Sequence, residues 1–528
     1  MKNRNKLLPE PNELPSSFAD RMGIHYTSFV SQEHKKERGQ FFTPTAIARL
    51  MASFVSYEAD AVRILDPGCG TAVLACALIE YLVNENEHLR RIDLIVYETD
   101  VSLISCAEDV LTYLKKWLHD KGINLNHFLH IHDFILDNAD SLKEANSLFV
   151  NRIELFDFVI SNPPYFKLSK DDQRTKAAKV VVSGQPNIYS FFMAIGAKLL
   201  KLDGELIFIT PRSFSSGNYF KAFREYFFKI IQLDRIHLFV SRKDTFNRDS
   251  VLQETVVIKG IRKDYTNNDN HVLVSSSHGL HDINEPSIKY FSSKELIDVN
   301  SREKILHLPV NNIEEFILDL VKGWNGNLNQ YNIQISTGPV VAFRSWDFIQ
   351  DKFENENVFS APLFWLHNVD KMVLEWPISK PNKGQYIKIL DGSKSILIPN
   401  KNYILLRRFS TKDDKSRLVA APYFCNFINA DYIGVENKVN YIYRPKGHLN
   451  RNEVVGLCAL LNSELFDNYF RIFNGNVNVS ATELREMALP PLESIKEIGQ
   501  QIILSNDYSM DNVNTLMNEY FSITTIFN

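Results

Sequence analysis

The chain has 528 residues, 45% hydrophobic and 23% charged, with 21 Gly and 20 Pro, values that exclude a disordered or fibrous protein. At about 100 to 200 residues per domain, that length implies roughly two to four domains. With 59 basic and 63 acidic residues the net charge is −4, a balance that taken alone argues against a polyanionic partner.

No run of about 18 apolar residues occurs, and Lys2, Arg4 and Lys6 near the N-terminus have no apolar stretch behind them. Neither a membrane span nor a secretory leader is therefore expected. Cys69, Cys76, Cys106, Cys425 and Cys458 form no CxxC pair and have no His at metal-ligand spacing. Reduced thiols in a cytoplasmic protein without a metal site are the expectation.

Residues 1–38 are polar and end in a charged stretch, Glu33 to Arg38, so they read as an N-terminal arm. A helix is predicted from Thr43, with Pro44 at its first position. Strand, turn and helix then alternate. Val62 to Leu65 runs into Asp66-Pro67-Gly68-Cys69-Gly70-Thr71 and a helix over Ala72 to Val83; Leu94 to Tyr97 ends at Glu98; Phe128 to His132 ends at Asp133; Phe156 to Ile160 ends at Asn162-Pro163-Pro164-Tyr165. A helix over Tyr189 to Leu200 and a strand over Glu205 to Thr210 follow. Repeated units of this kind predict an α/β, doubly wound parallel sheet whose ligands lie beyond the strand C-termini. The polar stretch Asp264 to Gly279 suggests a domain boundary near 265. Beyond it, short β-type runs at Ile396 to Leu406 and Tyr432 to Tyr443, with a helix at Val454 to Phe470, predict an α+β domain.

The glycine turn after Asp66 lets the backbone approach a ligand, although it is equally a structural turn. Val73 replaces the third glycine of the dinucleotide fingerprint, which disfavours a nicotinamide or flavin cofactor. Glu98 occupies the place from which a carboxylate binds a ribose diol, with a surface Glu as the alternative. Asp133 either accepts from an adenine amine or caps a helix. In Asn162-Pro163-Pro164-Tyr165, two prolines remove N–H donors and leave the Asn162 amide oxygen and the Pro163 carbonyl as acceptors. Such a pair suits a conjugated amine, which becomes nucleophilic once acceptors hold both its hydrogens.

These motifs resemble the S-adenosylmethionine-dependent adenine-N6 DNA methyltransferases, in particular the restriction-modification group whose cofactor motifs come first and whose target-recognition domain follows. Gly39 to Pro44 is similar to the motif ahead of the cofactor strand, Asp66 to Gly70 to the cofactor turn, and Asn162 to Tyr165 to the catalytic motif; Asn187-Ile188-Tyr189 and Asp203 to Pro211 look like later sheet motifs. The resemblance implies a Rossmann-like methyltransferase domain at 39–265 and a DNA-recognition domain at 266–528. It further implies that Thr43 and Pro44 hold the methionine end of the cofactor, Asp66, Gly68 and Gly70 approach it, Glu98 binds its ribose and Asp133 its adenine. Asn162, also expected among the cofactor-binding residues, and Pro163 would bind the target amine, and Tyr165 and Phe246 would sandwich a flipped adenine, though Phe246 reads equally as a core residue.

Between Leu405 and Arg451, nine basic residues face four acidic ones, a local excess of +5. Arg407, Arg408 and Lys438, with Arg344 and Asn440, are the candidates for DNA contact. The expected partners are double-stranded DNA and a separately encoded restriction endonuclease, with no membrane, and the chain is expected to be monomeric. Three other readings stay open: a methyltransferase for a protein glutamine amide, one for an RNA base, and an inactive DNA-binding specificity subunit.

Overall fold

The computed structural model describes residues 7–143, 155–239, 255–264, 269–297, 304–309, 312–351, 359–410, 414–473 and 479–523. It divides into two units, Met1–Val310 and Asn311–Asn528.

In the first unit, strands β1 (Ala61–Pro67), β2 (Arg91–Tyr97), β3 (Asn124–His130), β4 (Phe156–Ser161), β5 (Leu200–Pro211), β6 (Ile231–Phe239), β7 (Thr255–Arg262), β8 (His271–Ser277) and β9 (Ser287–Ser292) form one sheet in the order β3-β2-β1-β4-β5-β7-β6-β8-β9. The first five are mutually parallel, and β7 runs antiparallel to both β5 and β6. Successive strand residues point to opposite faces, and each face has its own core. Ile64, Phe158, Ile160, Ile207 and Ile209 join one core, while their neighbours Leu65, Val159, Leu206 and Phe208 join the other. Burial on both faces explains why these strands read as continuous apolar runs.

Helices α1 (Pro15–Thr27), α2 (Gln32–Arg38), α3 (Thr45–Ala52), α4 (Val73–Glu85), α5 (Val101–His119), α6 (Phe134–Asn138), α7 (Gln173–Ala177), α8 (Ile188–Leu199) and α9 (Lys221–Ile230) connect these strands or precede them. α8 is apolar on nearly every side, and its sequence Ile-Tyr-Ser-Phe-Phe-Met-Ala-Ile is buried throughout, as expected of a helix with no solvent face.

Two boundaries differ from the sequence reading. Within the predicted arm of residues 1–38, residues 15–27 are not free, because α1 buries Phe18, Ala19, Met22 and Tyr26 in the core. Their helical spacing lies in a segment polar enough overall to hide it. Buried Glu80 of α4 accepts from both the backbone N–H and the hydroxyl of Ser16, at 2.6 and 2.7 Å, satisfying one of the donors that a helix start leaves open. The boundary near 265 moves to 310, because β8 pairs with β6 and β9 with β8 beyond the polar stretch.

The second unit is α+β. One sheet orders Gln334–Thr337, Val439–Tyr443, Tyr403–Arg407 and Ala420–Tyr423; another contains Tyr386–Lys388, Ser360–Phe364 and Tyr432–Val435. The single helix predicted over Val454 to Phe470 is two, Arg451–Asn462 and Glu464–Phe473. Among the described residues, no helix is long and apolar enough to cross a membrane.

Candidate active site

The parallel strands β1 and β4 lie side by side where the strand order reverses, the position at which open α/β sheets leave a crevice beyond their C-termini. A cavity of about 350 Å³ fills it. Its floor is the turn after β1, where Gly68 and Gly70 hold φ of +74° and +56°, a conformation that disfavours side chains. A Cβ on Gly68 would project toward Phe192 and Pro164, which are both cavity walls.

Glu98, at the end of β2, is buried rather than a surface residue. Its carboxylate accepts from the Gly70 N–H at 3.1 Å and the Asp100 N–H at 2.8 Å. Burial raises its pKa, while those two N–H groups favour the charged form. Asp133 fulfils the capping alternative: its Oδ1 accepts from the N–H groups of Ile135 and Leu136 at the start of α6. It also lines the cavity, with Oδ2 3.8 Å from Arg174.

Asp66 is fully buried, and apart from the nearby Ala75 amide its carboxylate oxygens have no hydrogen-bond partner among the described residues. Burial pushes its pKa up to about 8, with the Ala75 amide opposing and Glu98 adding to the shift. It sits outside the cavity lining, as does Pro44, which caps the start of α3.

Asn162 ends β4 and meets the segment that roofs the cavity. Its Nδ2 donates to the Phe41 carbonyl at 2.9 Å and to Thr43 Oγ1 at 3.0 Å. Its Oδ1 accepts from the Tyr165 hydroxyl at 2.5 Å, and that hydroxyl lies 3.0 Å from the Ile209 carbonyl. The expected free acceptor is thus already engaged on one side, although an amide oxygen has two lone pairs. Pro163 is buried beside it, and Pro164 lines the cavity.

Tyr165 requires a correction as an open stacking platform. Its ring belongs to the core, stacks on Phe41 with centroids 5.5 Å apart and 28° between planes, and stands outside the cavity lining. Phe246 lies outside the described residues.

The sequence reading also missed Asp100. This buried carboxylate caps α5 through Ser102 and accepts from Tyr26 (2.9 Å), His34 (2.8 Å) and Gln40 (2.8 Å). Burial works against its charge, yet the bonds from Ser102, His34 and Gln40 prevail and hold it well below the usual carboxylate range. The only local signal was the Asp-Val-Ser cap pattern after Glu98 and Thr99.

In the second unit the recognition candidates separate. Arg344 is exposed, its guanidinium 5.2 Å from the Phe343 ring, and Lys438 is 54% exposed near Glu436. Arg407 and Arg408 are half-buried and donate to the carbonyls of Val369 and Asn437. Asn440 is completely buried, bonded to Thr337 and the Val479 carbonyl, so it reads no base. The +5 excess also shrinks in effect, since Arg417 is completely buried and Arg444 pairs with Glu453. Lys412 lies outside the described residues.

A doubly wound sheet with a glycine turn, a carboxylate at the next strand and Asn-Pro-Pro-Tyr at the switch point defines a methyltransferase-type site. The sequence model of the Eco57I restriction-modification methylase family matches residues 88–246. Type II methyltransferase M.BsuBI of Bacillus subtilis is 33% identical over 89% of this chain and 91% of its own length. Type II methyltransferase M.PstI of Providencia stuartii is 31% identical, covering 90% and 91%. The cryo-EM structure of a DrdV–DNA complex matches in fold, with a TM-score of 0.50 and 14% identity over 94% of this chain and 60% of that one. The chain belongs to the type II methyltransferases of restriction-modification systems, and its cofactor is S-adenosylmethionine. The cavity fits that molecule: positive-φ glycines leave the floor open to a bulky ligand, and Glu98 supplies a carboxylate on its wall. Asp133 supplies another beside apolar Phe134 and Phe192.

Proposed function

We propose that this enzyme methylates the N6 amine of adenine in duplex DNA, with the target base extruded from the helix, as the modification partner of a restriction endonuclease. The observation that carries the reading is Asn162, held rigidly at the end of β4 on the wall of the cofactor cavity, with one acceptor site of its Oδ1 still available.

S-adenosylmethionine supplies an electrophilic methyl group on a sulfonium. The residues then have to place an amine in line with it and make that amine nucleophilic. Asn162 Oδ1 and the Pro163 carbonyl accept its two hydrogens, drawing the nitrogen lone pair out of conjugation. Three hydrogen bonds on the Asn162 amide remove the reorganisation that a free side chain would undergo during transfer. Thr43 and the glycine turn hold the cofactor's amino-acid end, Glu98 the ribose hydroxyls, and Asp133 the adenine amine.

Cys69 on the cavity wall disfavours methylation at a ring carbon through a thiolate. Burial, with Asp66 and Glu98 nearby, pushes its thiol well above the ordinary range, so it stays protonated. A base inside a duplex is out of reach, and extrusion costs a few kcal/mol. Phe246 remains the proposed stacking residue for the extruded base; Tyr165 takes that role only if Phe41 yields its face. Arg344 and Lys438 are the proposed phosphate contacts.

The test is incubation with methyl-labelled S-adenosylmethionine and duplex DNA, followed by nucleoside analysis. Label in N6-methyldeoxyadenosine is expected; label confined to deoxycytidine, or absent from DNA but present in RNA or protein, overturns the reading.

A further inference from the structure

The cavity roof is made by the segment Glu37 to Thr43, which reaches the site from α1 and α2 rather than from the sheet. It has to be held in place by tertiary contacts. On the catalytic side, Asn162 holds Phe41 and Thr43. A second anchor is Asp100, two residues after Glu98. Its Oδ2 accepts from Tyr26 of α1, His34 of α2 and Gln40 of the roof itself, and Arg38 approaches it to 3.9 Å. Its other oxygen caps α5 through the Ser102 N–H, and its backbone N–H donates to Glu98. A cap needs only Oδ1. The convergence on Oδ2 of three donors from two preceding helices and the roof is more than capping requires.

We propose that Asp100 is a positioning residue that fastens the N-terminal roof over the cofactor and ties it to the Glu98 carboxylate on the ribose side. Bonds to a charged oxygen are stronger than neutral ones, so this one side chain offsets much of the entropy of ordering the segment. Asp100 itself stays outside the cavity lining. The inference rests on the cofactor and is independent of which base accepts the methyl group.

The test compares the full-length wild type with Asp100→Asn and with a Tyr26→Phe/His34→Ala double variant. Asn is an equally good N-cap, so the first variant keeps α5, and the second leaves Asp100 untouched while removing two tethers. Binding of S-adenosylmethionine is measured by calorimetry, and tryptic cleavage after Lys35 and Arg38 is followed by mass spectrometry. In both variants the dissociation constant is expected to rise about tenfold and cleavage to accelerate. The KM for cofactor should rise with it, while kcat at saturating cofactor stays within about twofold. Wild-type affinity in both variants overturns the proposal. So does weaker binding without faster cleavage, or weakening in Asp100→Asn alone, because Asp100 would then act only through its own loop.

Discussion

The Tyr165 hydroxyl donates to Asn162 Oδ1 at 2.5 Å, so the aromatic ring that ends the Asn-Pro-Pro-Tyr tetrapeptide orients the amide that begins it. Tyr165→Phe keeps the buried ring and its contact with Phe41 but removes this bond. A stability loss of about 1 kcal/mol is expected, with kcat falling roughly tenfold because the amide is less well fixed. Tyr165→Ala should cost about 3–5 kcal/mol through the cavity it leaves. Urea denaturation alongside single-turnover assays separates the two effects, and an unchanged kcat in Tyr165→Phe would remove the orienting role.

Asn162→Ala removes the proposed acceptor for the amine and both donors to the roof. Methyl transfer is expected to fall at least ~100-fold. Cofactor affinity should fall no more than about tenfold, because the contacts of Asp100 with His34 and Gln40 persist. Near-normal turnover would exclude Asn162 from the chemistry.

Gly39 has φ of +58°, and a Cβ there would meet the Tyr165 backbone nitrogen at 2.8 Å. Gly39→Ala therefore has to lift the roof from the catalytic motif. Weaker cofactor binding with an unchanged far-ultraviolet spectrum is the expected result, and wild-type affinity would show that the roof can shift without consequence.

Asp66 gives a pH signature. Unfolded, its carboxyl ionises near 3.8; folded, it keeps its proton to about 8. Between those values the folded state binds more protons, so this residue's contribution to stability falls as pH rises from about 4 to 8. Asp66→Asn should flatten that slope. Denaturation midpoints across the window provide the check, and parallel slopes for the two proteins would mean that the carboxyl is already ionised at low pH.

For the proposed DNA contacts, Lys438→Ala should weaken binding to all sequences alike and reduce the salt slope by about 1. Asn440→Ala should leave that slope unchanged and destabilise the protein by about 1–3 kcal/mol, because Thr337 and the Val479 carbonyl lose a buried partner. Anisotropy titrations at several salt concentrations and thermal melts distinguish the two outcomes.

The sequence by itself determined the parallel strands β1 to β5 and the turns that end them, but not the antiparallel β7 or the added β8 and β9. Apolar runs ending at Asp66, Glu98 and Asn162 are local signals, because strand periodicity, glycine turns and paired prolines act over a few residues. It also led to the methyltransferase family, through the order of Gly39 to Pro44, the glycine turn and Asn162 to Tyr165. Only the tertiary structure decided how those pieces are held. Asp100 receives bonds from residues 60 to 74 positions away, and Asn162 bonds residues 119 and 121 away. Phe41 covers Tyr165, and Asn440 disappears into a core. A polar side chain reads the same in sequence whether it faces DNA or closes a buried hydrogen bond. What separates the two is desolvation, which arises only when distant segments pack together.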